Sequence, residues 1–212
     1  MNKNNIISIV IIILSFLIGI YAYQYFPEKI ASHWGSDGQV NGYMSKFWGI
    51  FLVPIISIAL LLLFNFIPKL DPLKKNYNKF KEYYYSFISM IIIFLFYIFL
   101  LTIIWNFGII FNMSLAIIPA LGFLFFYIGI LLKHLKRNWF IGIRTPWTIS
   151  SDRVWDKTHK LGSKLFIISG IITLFGIFFQ SYMIWFMLVP ILVSSIWLFI
   201  YSYLEYKKIK KK

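Results

Sequence analysis

The stretch YYYSFISMIIIFLFYIFLLTIIW, residues 83–105, contains no Asp, Glu, Lys, Arg or His. A helix needs about 20 apolar residues to cross the hydrocarbon core of a bilayer, and this run supplies them without a break. Residues 6–23, 47–67, 113–132, 165–183 and 184–204 share the property. The expected fold is therefore an all-α polytopic membrane protein with six transmembrane helices. The whole chain agrees: 60% of its 212 residues are hydrophobic, against about 45–50% apolar in soluble domains, and its mean hydropathy is +0.77. Alternation with a period of two is absent, which argues against a β-barrel. The first run is too long for the apolar region of a secretory signal and lacks a small-residue cleavage site, so it reads as a retained span.

The net charge of +14 would suggest nucleic acid in a soluble chain. Here it follows from topology, because Lys and Arg concentrate in short cytoplasmic loops. All 21 basic residues except Lys29 and Lys46 fall in the N-terminus, the second loop, the fourth loop or the C-terminal tail. That places both termini in the cytoplasm, with no direct nucleic-acid partner, and the abundance of Ile, Lys, Asn, Phe and Tyr suggests the AT-rich genome of a bacterium, hence its plasma membrane. The organisation is three helical hairpins: residues 1–67 with a folded extracytoplasmic loop at 24–46, residues 68–132, and residues 133–212. Each hairpin carries one proline in its second helix, Pro54, Pro119 and Pro190, which fits a repeated unit or the general tolerance of membrane helices for proline. Ser15 and Gly19 have the spacing that lets membrane helices approach closely.

The spans hold no ionisable residue. Coupled transporters bury such groups at mid-depth, and intramembrane proteases need a nucleophile and base or metal ligands there. With no cysteine, disulfide and thiolate chemistry is excluded. No metal or cofactor is expected.

Two polar segments remain. In the outer loop, SDG (residues 36–38) and NG (residues 41–42) carry turn chemistry, so a compact loop is expected. Trp34 and Tyr43 suit the headgroup region. His33 has no second ligand at metal-binding spacing. The inner segment is NWFIGIRTPWTISSDRVWDKTHKLG, residues 138–162. Its first half, broken by Gly142, Arg144 and Pro146, is expected to be an irregular turn hugging the membrane. From about Ser151, a good N-cap followed by Asp152, an amphipathic interfacial helix is expected to run into the fifth span. Trp155, Thr158, His159 and Gly162 fall on one face, and Arg153, Lys157, Lys160 and Lys164 on the other can reach anionic headgroups. A triad of Ser150, Asp152 and His159 is not supported by the spacing.

Those residues carry a family resemblance. Gly142, Arg144, Thr145, Pro146, Trp147, Thr148, Val154, Trp155, Thr158, His159 and Gly162 resemble the signature of the SdpI family of bacterial immunity membrane proteins. Pro27, Ile30, His33, Trp34, Gly38, Ser45 and Lys46 resemble an N-terminal domain of unknown function that accompanies it. The resemblance implies a non-enzymatic membrane protein that gives resistance to a secreted antimicrobial peptide toxin and signals by sequestering a cytosolic transcriptional repressor. It implies toxin contact in the outer loop, at His33, Trp34, Gly38 and Tyr43. It implies partner contact in the inner loop, at Arg144, Thr145, Pro146, Trp147, Trp155, Thr158, His159 and Gly162. The open alternatives are a small-molecule or lipid carrier of the same family, a headgroup enzyme and a scaffold.

Overall fold

The computed structural model describes residues 3–210. Among them six helices are long and apolar enough to cross a membrane: α1 (Lys3–Tyr23), α2 (Lys46–Leu70), α3 (Lys81–Asn106), α4 (Met113–His134), α6 (Asp152–Phe175) and α7 (Met183–Lys210). Strands β1 (Lys29–Trp34) and β2 (Val40–Ser45) form an antiparallel pair between α1 and α2, and a short helix, α5 (Pro146–Ser150), precedes α6. Lys211 and Lys212 of the basic tail lie outside the described residues.

The fifth span begins as expected and ends differently. Ser151 accepts the Val154 N–H at 3.4 Å and Asp152 occupies the first turn, so α6 begins there and continues without a break into the apolar run. It stops at Phe175, earlier than the apolar run does. Two 3-10 turns, Gly176–Phe178 and Gln180–Tyr182, then lead into α7. Counting hydropathy alone missed this stop, because Ile177, Phe178 and Phe179 continue the apolar run through the turns.

The packing inverts that of a soluble protein. Large apolar side chains such as Leu17, Leu62, Phe123 and Ile196 face outward, while Ser8, Ser57, Ser169 and Ser194 are buried. Lipid tails are as apolar as leucine, so contact between helices relies on close approach and polar links rather than on removing oil from water. Buried hydroxyls also bond their own helix: Ser15 donates to the Ile11 carbonyl and Ser57 to the Val53 carbonyl, both at 2.8 Å.

The chain divides into two compact units. The first comprises residues 1–65 and 88–120. Its core holds Ala22, Phe26, Ile30, Ile50, Phe99 and Ile103. A Cβ on Gly19 would lie 2.9 Å from the Ile50 side chain, so the glycine sets the distance of α1 from α2. Ser8 and Ser89 link α1 to α3 at 3.2 Å, and Asn5 donates to Asn65 of α2 at 2.7 Å.

The second unit comprises residues 66–87 and 121–212. Here α4 and α6 meet backbone to backbone. A Cβ on Gly170 would stand 2.6 Å from the Gly122 carbonyl oxygen, and one on Gly129 would stand 2.8 Å from that of Ser163. Seven residues separate the two glycines of α4, and seven separate Ser163 from Gly170, so the close backbone approach recurs after two turns along one antiparallel seam. Ser169 and Ser194 join α6 to α7 at 3.2 Å. Gly170→Ala is expected to cost about 1–3 kcal/mol, because the new methyl meets backbone that cannot yield as a side chain does. Thermal unfolding in detergent checks this; an unchanged midpoint would mean that the seam opens freely.

Candidate functional site

The loop after α1 is a rigid hairpin. Gly35 N–H donates to the Gln39 carbonyl at 2.8 Å and Gly38 N–H to the Gly35 carbonyl at 2.9 Å. Gly38 has a φ of +78°, and a Cβ there would overlap the Asn112 amide. The SDG turn therefore forms as its residues dictate. The NG pair does not turn. Gly42 lies inside β2 opposite His33, where its bare face admits the His33 Cβ, which an added Cβ would meet at 2.9 Å.

Asn106, the last residue of α3, clamps the hairpin. Its Oδ1 accepts the Ala31 N–H at 2.9 Å and its Nδ2 donates to the Ala31 carbonyl at 3.0 Å. Ser114 adds a bond to the Gly35 carbonyl at 3.2 Å.

Against β1 and β2 lies a cavity of about 270 Å³, bordered by Trp34, Met44, Trp48, Leu52, Ile98 and Met113 among others. Trp34 packs edge-on against Trp105 at 5.7 Å, and its buried Nε1–H has no hydrogen-bond partner. His33 borders the same cavity while its Nδ1 is paired with the Asn41 side chain. Tyr43 is exposed, whereas Gly38 is buried against Asn112. Of the four outer residues, His33 and Trp34 come together, Tyr43 stands on the surface and Gly38 serves the turn.

The inner segment is a cap assembled around Asn138, which is fully buried. Its Oδ1 accepts N–H groups from Phe140 at 3.0 Å and Ile141 at 2.7 Å. Its Nδ2 donates to the carbonyls of Lys136 at 2.9 Å and Ile141 at 3.0 Å. Two donors and two lone pairs exhaust an amide. Gly142 follows with a φ of +112°, and a Cβ there would overlap Nε2 of His159. This close approach lets His159 Nε2 accept the Ile143 N–H at 3.0 Å while Nδ1–H donates to the Trp155 carbonyl at 2.9 Å. The network fixes one neutral tautomer and leaves no ring nitrogen for a metal or a substrate. The Trp155 ring stacks on the imidazole at 4.0 Å, and its indole N–H donates to the Leu135 carbonyl at 3.1 Å.

The expected irregular turn contains a helix, α5, because Pro146 occupies its first position, where a missing N–H costs nothing. Thr145 is extended, as the residue before a proline should be, and forms a reciprocal cap. Its Oγ1 accepts the Thr148 N–H at 3.2 Å, and Thr148 Oγ1 accepts the Thr145 N–H at 2.9 Å. Thr145 Oγ1 also donates to Ser202 Oγ at 3.0 Å, and Trp147 packs on Phe199 and Tyr203 at 5.1 and 5.0 Å. Helix α5 is thus fastened to α7.

The segment between α2 and α3 supplies another fastening. Asp71, 1% exposed, accepts the Leu73 N–H at 2.6 Å and the Trp139 N–H at 2.8 Å. Asn76 donates to the Arg137 carbonyl at 2.8 Å. The Tyr77 hydroxyl is pushed above its ordinary pKa by burial first and by Asp71 second.

The expected face of α6 is real, but it faces the protein: Trp155, Thr158, His159 and Gly162 are all buried, as is Thr145. Arg144 and Pro146 are exposed and Trp147 is half-buried. Arg144 donates to the Trp139 carbonyl at 2.7 Å. Of the basic residues expected to face headgroups, Lys157 is paired with the buried Glu205, while Arg153, Lys160 and Lys164 are exposed. Ser150 donates to the Trp147 carbonyl and Asp152 pairs with Arg137, so neither is joined to His159.

Compared with known proteins, residues 134–203 match the SdpI/YfhL protein family, and residues 10–58 match a domain of unknown function, DUF1648. The chain is 32% identical over 208 residues, 98% of each chain, to Immunity protein SdpI of Bacillus subtilis (strain 168). It belongs to the SdpI/YfhL protein family. No solved structure matches it. The SdpI/YfhL match begins at the last residue of α4 and takes in the cap with most of the helices that hold it. Within this SdpI/YfhL member, Asp71, Asn138 and Asn106 are structural keys that sequence reading passed over. Asp71 carries the one available signal: it is the only acid in a lysine-rich loop before the turn-forming Asp71–Pro72 pair.

Proposed function

We propose that this chain is a membrane immunity protein that protects a bacterial cell from a secreted peptide toxin, with both termini in the cytoplasm, and that it signals by holding a cytosolic repressor at the membrane. The observation that carries the reading is the end-to-end likeness to Immunity protein SdpI. The outer hairpin and its cavity support toxin contact. The cavity, about 270 Å³, falls just below the size of ordinary ligand sites and suits one large apolar side chain of a peptide. The free Trp34 N–H adds a directional bond. Tyr43 offers an exposed ring at the rim of the hairpin.

On the inner side, Arg144, Pro146 and Trp147 are the motif residues that a partner can reach. The buried motif residues Thr145, Trp155, Thr158, His159 and Gly162 shape that surface from beneath. Toxin alters the inner face only if it binds one conformer better than another.

The test is expression in a toxin-sensitive strain, reading survival, membrane level of the protein and location of the repressor. Wild type is expected to restore survival. Trp34→Ala is expected to lower survival at unchanged protein level, and Arg144→Ala to preserve survival while the repressor stays in the cytosol. A wild-type chain that is present in the membrane and gives no protection would sink the immunity reading in favour of a carrier.

A further inference from the structure

One cavity of the second unit lies apart from the residues expected to contact toxin or partner. It measures about 390 Å³ and lies where α2 ends, the 3-10 turn Lys74–Lys79 runs and α3 begins. Lys69, Lys74 and Lys81 border it together with Tyr77, Tyr84 and Tyr85, and no carboxylate lines it. Among the described residues none of the three lysines makes an ion pair, although the lysines at positions 46, 136, 157 and 208 do. The segment's buried acid, Asp71, is committed to two backbone N–H groups. Three lysines without an ion pair border one concavity.

The walls are fixed. Tyr77 and Tyr84 are buried and meet edge-on at 5.4 Å, and Tyr77 packs on Phe80 at 4.9 Å. Asp71 and Asn76 tie the turn to the chain at Trp139 and Arg137. Lysine stems lie along apolar surface while their heads seek an anion, and tyrosine hydroxyls can donate to oxyanions. A basic pocket at the ends of membrane helices matches the chemistry of a phosphate headgroup.

We propose that this cavity binds a phosphate group, clasped by Lys69, Lys74 and Lys81 against the tyrosine wall. An anionic phospholipid and a free phosphate ester both carry that group. The position favours the lipid, because Lys69 lies in the last turn of one span and Lys81 opens another.

The experiment uses the full-length protein in mild detergent. Phosphatidylglycerol, phosphatidylcholine and, separately, inorganic phosphate are titrated, and bound ligand is counted by native mass spectrometry. Phosphatidylglycerol is expected to bind at least tenfold more tightly than phosphatidylcholine. Replacing Lys69, Lys74 and Lys81 together by Gln should remove that preference, and replacing all three by Arg should keep it. A control in which Arg153, Lys160 and Lys164 become Gln removes equal charge and should change binding less than twofold. Lysine-dependent binding of inorganic phosphate without lipid binding would keep the site and identify the free anion as its source. The proposal fails if neither ligand binds, if the triple Gln variant binds as wild type does, or if it and the control lose binding equally.

Discussion

Trp155→Ala is expected to destabilise the protein by about 3–5 kcal/mol, the usual cost of truncating a buried large aromatic residue. Trp155 is fully buried, stacks on His159 and caps the Leu135 carbonyl. The variant would leave a void beside the imidazole and a carbonyl without its donor. It would also loosen the ring that holds the Ile143 N–H. Chemical unfolding in detergent measures the effect, and a loss below about 1 kcal/mol would mean that the cap relaxes around the gap. The result matters for function because such a variant lowers the amount of folded protein. Under the proposed function, a signalling defect in it would not by itself report a lost partner contact, whereas one in Arg144→Ala at unchanged stability would.

Asp71→Ala is expected to cost about 2–6 kcal/mol, since it strips the acceptor from two N–H groups in a buried setting and each orphaned donor costs about 1–3 kcal/mol. Asp71→Asn keeps one side-chain oxygen and should lose roughly half as much, because one of the two N–H groups keeps a partner. The same unfolding experiment ranks the pair, and protease sensitivity at residues 137–145 should rise in step. Equal stability of the Ala variant and wild type would show that water replaces the carboxylate.

The contrast between these two residues explains what was legible. Six spans could be read because a charge-free run of that length has few homes other than a bilayer, where a helix satisfies its own backbone. The face of Trp155 and His159 could also be read, being local helical spacing. What covers that face could not. Residue type gives the same pattern whether the face meets lipid or the chain's own loop, and the loop's course depends on Gly142 passing over an imidazole 17 residues later. Asp71 and Trp139 are 68 positions apart, so nothing near either one announces the other. In the outer hairpin, the SDG turn followed from its own residues. The NG pair misled because Gly42 is there to make room for a neighbour across the strands.

The cap's attachment to α7 has a consequence for biogenesis. Thr145 reaches Ser202, Trp147 rests on Phe199 and Tyr203, and Lys157 meets Glu205, so the cap is completed only by α7, which is made after it. A nascent chain that has already inserted its first five helices still presents the cap's surface in an unfinished form. Packing of α7 thereby becomes the condition for completing this surface at all.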